Sequence, residues 1–208
     1  DLQEPLRKIS SFSELINTQF KGKLDSEGEL YLERINNSAK RMRNLITDLL
    51  NYSRVTRDST EETVDLNSIV HTVKDDLELP IKEKKATIQI DELPRVKGSS
   101  SEYTQLFQNL ISNGLKFSRK EIDPLIVISS HPSTIDELKR LPGKDAGQIY
   151  QSIVVSDSGI GFEDEYADKI FIIFQRLHGR DQYEGTGIGL AICKKIVEKN
   201  GGIIYAES

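Results

Sequence analysis

The stretch Asp157-Ser-Gly-Ile-Gly-Phe162 decides the fold that we predict for this chain, because two further motifs flank it. Asn109-Leu-Ile-Ser-Asn-Gly-Leu-Lys-Phe117 precedes it, and Gly185-Thr-Gly-Ile-Gly-Leu190 follows it. A glycine pair alone is a weak signal, since glycines more often serve ordinary turns. A helix with paired asparagines, a carboxylate before a glycine turn, and a second glycine turn that opens a helix together predict a nucleotide site.

The central motif follows an apolar, β-branched segment, residues 151–155, which predicts a buried strand. A carboxylate buried at the end of that strand, Asp157, needs a hydrogen-bond donor. The exocyclic amino group of adenine would supply one. Gly159 and Gly161 would let the backbone turn tightly and approach a flat ring. A solvent-exposed Asp-Ser-Gly turn is the alternative, and the flanking motifs favour the nucleotide site.

The paired asparagines lie on a predicted amphipathic helix. Asn109, Asn113 and Lys116 are spaced by four and three residues, so they share one stripe at the edge of its apolar arc. An amide oxygen suits Mg²⁺, which keeps several waters and is shared with phosphates, and Asn113 is the candidate metal ligand. Lys116 can offer a point charge to phosphates, while Phe117 either covers the base or fills the core.

The second glycine turn contains Gly185, Gly187 and Gly189, and it leads into a predicted helix over residues 188–198. Free backbone N–H groups and the positive end of a helix suit phosphate oxygens. The spacing matches neither a Walker loop nor the dinucleotide-binding fingerprint. Residues 181–186 are expected to form a lid that orders over the nucleotide.

These three motifs resemble the N box and the two glycine boxes of the sensor histidine kinase ATP-binding domain. Between the glycine boxes, Phe171-Ile-Ile-Phe-Gln-Arg176 resembles the phenylalanine box of the same kinases. The resemblance implies an α/β sandwich of the histidine kinase, gyrase and chaperone type, with ATP and Mg²⁺ as cofactors. It implies nucleotide contacts by Asn109, Asn113, Lys116, Phe117, Asp157, Gly159, Gly161, Phe174, Gly185, Thr186, Gly187, Gly189 and Leu190, with Asn113 also catalytic.

The first seven residues, Asp1-Leu-Gln-Glu-Pro-Leu-Arg7, resemble the phosphoacceptor motif of these kinases without its first residue, the acceptor histidine. The resemblance implies an acceptor histidine immediately before Asp1. It gives Asp1 a catalytic role, in which the carboxylate holds or deprotonates the imidazole. Glu4 stands where many members have Thr or Asn, which argues against phosphatase activity of that type. The three histidines present fit surface or structural positions instead: His71, His131 and His178.

Residues 1–58 predict a helical hairpin with an apolar seam on each helix. Two amphipathic helices alone bury little, so we expect two copies to form a dimeric four-helix bundle. The alternative is a hairpin that packs onto its own ATP-binding domain, and the kinase resemblance favours the homodimer. The seam residues are Leu2, Leu6, Ile9, Phe12, Ile16 and Phe20 in the first helix and Leu32, Ile35, Ala39, Met42, Ile46 and Leu49 in the second.

The expected fold class is α+β. The charged residues 59–65 are interpreted as a linker, and residues 66–208 as the catalytic domain with its C-terminal strands truncated. The catalytic domain is expected to begin with a helix from residue 65 to about 84 and a strand over residues 86–90. A further strand over residues 125–129 would follow the asparagine helix.

Bulk composition narrows the function class. The 208 residues include 29% charged side chains with a net charge of −5, which gives no case for nucleic acid binding. No stretch approaches the ~20 apolar residues of a membrane helix, and we expect no signal peptide. We therefore expect a cytoplasmic location, compatible with a membrane anchor further upstream. Cys193 is the single cysteine and is interpreted as an inert core thiol.

The sequence therefore predicts a histidine kinase that uses Mg-ATP to phosphorylate a histidine. The resemblance implies transfer to an aspartate of a response-regulator receiver domain, which would dock near Asp1, and an upstream sensory domain. Two alternatives stay open, a non-enzymatic nucleotide-binding scaffold and an ATP-driven clamp. A clamp needs a glutamate to activate water, and Glu102 lies seven residues before Asn109, about two turns away.

Overall fold

The computed structural model of the chain describes residues 3–55, 62–139, 150–177, 179, 183 and 185–208. A helical N-terminal region precedes a region of mixed helices and strands, which confirms the expected α+β class. The N-terminal region consists of two helices, α1 (Gln3–Gln19) and α2 (Ser26–Arg54).

The hairpin forms as its seam residues predict. Asp25 is the N-cap of α2, and its Oδ1 accepts a hydrogen bond of 2.8 Å from the Gly28 amide. The Arg43 guanidinium joins the two helices by donating to the Ser10 hydroxyl at 2.9 Å. Most of the seam stays uncovered in a single chain, with Phe12 at 64% and Met42 at 52% exposure. Two helices thus provide one side of an apolar interface.

Five strands form two sheets in the rest of the described chain. Strands β1 (Glu62–Asp65) and β3 (Arg95–Gly98) pair antiparallel. Strand β2 (Thr87–Ile90) pairs parallel with β4 (Leu125–Pro132), and β4 pairs antiparallel with β5 (Gln151–Asp157), so the order is β2-β4-β5. Strand β1 begins inside the segment expected to be linker, whose residues 59–61 lie outside the described residues.

The helices of this region are α3 (Leu66–Asp76), α4 (Glu78–Glu83), α5 (Ser100–Lys116), α6 (Ile135–Lys139) and α7 (Gly189–Lys199). Two 3₁₀ turns, Asp164–Tyr166 and Lys169–Phe171, precede the second glycine turn. The single helix expected over residues 65–84 is wrong, because the chain breaks at Leu77. Pro80 explains the break: it has no backbone N–H and is tolerated in the first turn of a new helix.

The core lies between the three-stranded sheet and helices α3, α5 and α7. The fully buried side chains include Phe107, Ile111, Ile126, Ile128 and Ile192. Gly114 lets α5 lie close to the sheet, since an added Cβ there would stand 2.9 Å from the Ile126 Cδ1. This packing fixes the orientation of α5 and leaves its polar stripe at the edge of the core.

Strand β5 forms as predicted, but the prediction that it is buried is wrong. Ile153 and Val154 are each 38% exposed, and Asp157 at its end is also exposed. Among the described residues, β5 pairs with β4 along one edge only, so its other edge is open. A run of β-branched residues indicates a strand, whereas its burial depends on what covers it.

Cys193 is a free, buried cysteine, in agreement with its interpretation as a core thiol. Burial raises the pKa of its thiol to about 12, because the low-dielectric core disfavours the thiolate. No helix in the described part of the chain combines the length and the apolar character needed to cross a bilayer.

Candidate nucleotide site

Helix α5 presents the predicted polar stripe to an open cavity. Asn109, Asn113 and Lys116 are half-buried and line this cavity together. The opposite face of α5 holds buried core residues such as Phe107 and Ile111, so the helix cannot rotate the stripe away without exposing them. Within the described residues the Asn113 amide makes no hydrogen bond, which leaves its oxygen available to a ligand.

The first glycine turn is tied to the end of α5. The Ile160 amide donates to the Phe117 carbonyl at 3.0 Å, and Ser118 forms an isolated bridge with Gly159. Gly159 is required there, since an added Cβ would stand 2.8 Å from the Phe117 carbonyl oxygen. The asparagine helix and the first glycine turn therefore form one wall of the cavity.

Asp157 lies at the cavity in a more open position than the sequence predicted. Its Oδ1 accepts a hydrogen bond of 2.8 Å from the Gly159 amide, which fixes the carboxylate over its own turn. Its carboxylate makes no other hydrogen bond within the described residues, so its second oxygen is free to accept an amino group. Gly161 has a φ of +67°, the left-handed conformation that favours glycine.

The second glycine turn meets α5 from the other side. The Asn109 amide donates to the Gly189 carbonyl at 3.3 Å, at the first residue of α7. An added Cβ at Gly185 would stand 2.7 Å from the Lys116 Nζ, so the lysine lies directly against the turn. These contacts bring together residues that are about 70–80 positions apart in sequence. Thr186 and Leu190 also line the cavity.

The phenylalanine motif supports the second glycine turn through its backbone. The Phe174 amide donates to the Gly187 carbonyl at 2.9 Å, and both residues have a positive φ, +66° and +74°. The Phe171 side chain is buried and lines the cavity. The Phe174 side chain is 52% exposed and lies away from the cavity lining, so the structure does not bring this predicted nucleotide contact into the site.

Two arginines and a tyrosine complete the site, and our sequence reasoning did not identify them. The Arg176 guanidinium donates to the carbonyls of Gly185 at 2.7 Å and Tyr183 at 2.6 Å, and so holds the described part of the lid. The Tyr183 ring lies 4.9 Å from the Phe117 ring, centroid to centroid. Arg119 donates to the Gly159 carbonyl at 2.8 Å. The available signal was a guanidinium at the end of one motif, Arg176, and two residues after another, Arg119.

Asp1 and the three histidines lie outside the site as it is described. Asp1 lies outside the described residues, as do His178 and three of the six lid residues, 181, 182 and 184. His131 pairs with Glu137 at 3.1 Å, beside α6 and away from the glycine turns. His71 is exposed on α3.

Two protein families match the sequence of this chain, one over the hairpin and one over the region that holds the cavity. Residues 1–58 match the family described as His Kinase A (phospho-acceptor) domain. Residues 98–208 match the family described as Histidine kinase-, DNA gyrase B-, and HSP90-like ATPase. The chain belongs to the sensor histidine kinases. Membership of the second family makes residues 98–208 of this histidine kinase an ATP-binding domain.

Named relatives agree with this assignment. This histidine kinase chain is 35% identical over its whole length to the phytochrome-like protein Cph1 of Synechocystis sp.. It is 37% identical, again over its whole length, to cyanobacterial phytochrome A of Nostoc sp.. The chain spans 26% and 25% of the length of these two relatives.

The fold also matches a solved structure. Full-length ShkA in complex with AMPPNP aligns with a TM-score of 0.66 at 21% identity. The alignment covers 98% of this histidine kinase chain and 40% of that one. At this level of identity the likeness shows a common fold, which extends over the hairpin and the ATP-binding domain together.

Proposed function

We propose that this chain is the kinase core of a two-component sensor, which binds Mg-ATP and transfers the γ-phosphoryl group to a histidine. The observation that carries the proposal is the convergence of the three motifs around α5. Asn109 contacts the second glycine turn at Gly189, and Phe117 contacts the first at Ile160. Three separate sequence motifs that meet on one helix fit a single ligand better than three unrelated turns.

The roles of the residues follow from their chemistry. Asp157 accepts the adenine amino group at the open end of the cavity, where Gly159 allows a close approach of the ring. Lys116 lies against Gly185 and meets the phosphates with its point charge. The amides of Gly189 and Leu190 in the first turn of α7 add a positive helix end on the same side.

Magnesium fits the donor chemistry of the site. Among the described residues, no cluster of three His, Cys, Asp or Glu side chains could hold a metal ion by itself. The Asn113 amide oxygen is a hard ligand at the phosphate side of the cavity. A Mg²⁺ ion held by one protein oxygen, waters and nucleotide phosphates is the usual arrangement in phosphoryl-transfer sites. Bound there, Mg²⁺ would neutralise charge that develops on the phosphates.

The proposed reaction joins a ring nitrogen of a histidine to the γ-phosphorus, breaks the bond to the bridging oxygen and releases ADP. The family resemblance assigns the imidazole proton to Asp1 and the histidine to the position before it. The phosphoryl group then passes to an aspartate of a response-regulator receiver domain that docks near this end of α1. An upstream sensory domain would control the reaction.

The exposed seam of the hairpin supports a homodimer. Exposure of its apolar side chains ranges from 41% to 64%, for Ile9, Phe12 and Ile16 on α1 and for Ile35 and Met42 on α2. Single chains rarely expose so continuous an apolar surface. A second copy would cover it with the same residues and complete a four-helix bundle.

Glu4 bears on phosphatase activity. Its carboxylate binds both nitrogens of the Arg7 guanidinium, at 2.9 and 2.8 Å, and that hydrogen bond lowers the pKa of Glu4. A charged, paired carboxylate differs from the neutral Thr or Asn that many members carry at this position. We therefore propose that the chain lacks phosphatase activity of that type.

The glutamate considered for an ATP-driven clamp lies outside the proposed site. Glu102 was the candidate, and it is buried near the start of α5 with its Oε1 bound to Lys199 at 2.7 Å. It does not line the cavity, whereas Asn109 and Asn113 do. A buried, paired carboxylate outside the site fits a structural role.

Autophosphorylation tests the proposal. A longer chain that includes the residue before Asp1 is incubated with Mg²⁺ and γ-labelled ATP, beside the same chain with Asn113→Ala. We expect acid-labile, alkali-stable label on the parent and none on the variant, although the variant should still bind ATP without magnesium. Phosphate release without phosphohistidine would support the clamp instead, and nucleotide binding with neither product would support the scaffold.

A further inference from the structure

A hydrogen bond joins the helical hairpin to the second glycine turn, between residues 138 positions apart in sequence. The Thr186 hydroxyl donates to the Asp48 Oδ2 at 2.6 Å, and both side chains are half-buried. Asp48 also lines the cavity that Asn113 and Lys116 line. A carboxylate of α2 therefore faces the end of the proposed site that would receive phosphates.

A second contact joins the two regions outside the cavity. The Lys195 Nζ donates to the Tyr52 carbonyl at 2.8 Å and lies 4.1 Å from the centroid of the Tyr52 ring. Tyr52 belongs to the last turn of α2, where the partial negative charge of the helix end favours a cation. Neither residue lines the cavity, so this contact can be altered without touching the nucleotide site.

Apolar burial supports the same interface. Val55, directly after α2, is 4% exposed and belongs to the hydrophobic core of the ATP-binding domain. Leu45 and Tyr52 are half-buried against that core. The end of α2 is thus docked on the ATP-binding domain by packing as well as by Asp48 and Lys195.

The docked position is near the acceptor end of the hairpin. Arg43 on α2 bonds to Ser10 on α1, and the helices run in opposite directions. Asp48, five residues beyond Arg43, therefore lies level with Pro5, five residues before Ser10. Thr186, which bonds to Asp48, is therefore held beside the end of α1 where the proposed phosphoacceptor stands.

We propose that docking on α2 and binding of Mg-ATP exclude each other, with Asp48 as the competing anion. This inference rests on the proposed nucleotide site. In the docked chain the Thr186 hydroxyl donates to Asp48 and therefore cannot donate to a phosphate oxygen. The negative charge of Asp48 also repels phosphates in the same cavity. The docked chain is then a resting state, and whatever moves α2 away from the lid admits the nucleotide. By thermodynamic linkage, bound nucleotide loosens the end of α2 to the same degree.

Nucleotide affinity tests this linkage, measured by calorimetric titration of Mg-ATP into the chain. The variants are Asp48→Ala and Lys195→Ala, with Glu33→Ala and Lys194→Ala as controls of the same charge. Glu33 is exposed on α2, about 22 Å along the helix from Asp48. Lys194 is exposed on α7, 3.9 Å from Glu198. We expect both test variants to bind at least about fivefold more tightly than the parent, and the controls to match it.

Lys195→Ala is the decisive variant, because charge alone predicts the opposite sign. Loss of a cation near the site should weaken phosphate binding, whereas loss of docking should strengthen it. Unchanged or weaker binding by a folded Lys195→Ala variant overturns the linkage and leaves the nucleotide site standing. If neither the parent nor any variant binds Mg-ATP, the proposed nucleotide site itself is wrong.

Amide hydrogen exchange gives a second readout that needs no variant. Saturating Mg-ATP should increase exchange at residues 45–55, because the bound nucleotide releases the end of α2. Unchanged or slower exchange in that segment, with nucleotide demonstrably bound, contradicts mutual exclusion. Because it uses the unaltered chain, this measurement tests mutual exclusion even if the substituted chains fail to fold.

Discussion

Glu102 and Lys199 form an ion pair of 2.7 Å that joins the start of α5 to the end of α7. The side chains are 11% and 26% exposed. The Glu102 Oε2 is buried and has no hydrogen-bond partner among the described residues. Because α5 carries the asparagine stripe and α7 begins at the second glycine turn, this pair holds the two elements that shape the proposed phosphate end.

Removing either partner should cost stability, to different degrees. Lys199→Ala leaves a buried carboxylate uncompensated and should lower the free energy of unfolding by about 2 kcal/mol. Glu102→Gln should cost less, because the more exposed lysine can reach water. Denaturant unfolding measures both values. A double variant that costs as much as the sum of the single ones would show that the pair has no coupling.

Gly187 should tolerate no side chain. Its φ is +74°, and an added Cβ would stand 2.8 Å from the Gln175 carbonyl oxygen and 2.9 Å from the Phe174 carbonyl carbon. Gly187→Ala should therefore destabilise the chain by about 1–3 kcal/mol and weaken nucleotide binding. Gly179→Ala is the matched control, since an added Cβ there meets no atom of the described residues within 4 Å. Thermal unfolding and Mg-ATP titration check both, and equal effects at the two glycines would contradict the packing argument.

The oligomeric state should depend on Phe12. This side chain is 64% exposed in the single chain, within the apolar seam of α1. Phe12→Glu would place a charge in the proposed four-helix bundle and should convert the dimer to a monomer in sedimentation analysis. Thr18→Glu adds the same charge on the opposite side of α1 and should leave the dimer intact. A parent chain that sediments as a monomer at micromolar concentration would remove the support for a homodimer.

The pH dependence of stability should include a contribution from Cys193. Its pKa is about 12 in the folded chain, above its ordinary value of 9. Below pH 9 both the folded and the unfolded chain hold the proton, so the contribution is constant. Between pH 9 and 12 the unfolded chain loses it first, and stability falls by about 1.4 kcal/mol per pH unit from this group.

The Cys193 contribution is the difference between the parent and Cys193→Ala in unfolding measurements across this pH window. The variant should show the shallower slope, since its other titrating groups are the same. Thiol reagents should likewise modify Cys193 only as fast as the chain unfolds, because the folded thiol is buried and protonated. Rapid modification of the folded chain at pH 8 would contradict the burial of this side chain.

The sequence predicted the elements that depend on local chemistry. The polar stripe on α5 followed from helical spacing, and a tight backbone turn was predicted at Gly159 and Gly161, where Gly161 has a positive φ. In each case the determining interactions lie within a few residues. The order of the motifs then sufficed to indicate the family, which the comparisons support over both regions.

Other features depend on distant residues. Strand β5 was expected to be buried, and that was wrong, because its faces are only partly covered and Ile153 and Val154 are each 38% exposed. Phe174 was expected at the nucleotide; its ring is 52% exposed and its backbone supports Gly187, so its contact with the nucleotide stays a prediction. Burial and side-chain direction depend on what lies across from a residue, which no local pattern records.

The sequence by itself determined which residues could bind a nucleotide, since the hydrogen-bonding groups of Asn and Asp, the charge of Lys and the backbone freedom of Gly do not depend on the fold. The tertiary structure alone decided which of them meet. The contact of Asp48 with Thr186 spans 138 positions and follows from the docking of α2 on the ATP-binding domain. That docking is a balance of apolar burial and paired charges between surfaces far apart in sequence, and it exists only once both surfaces have folded.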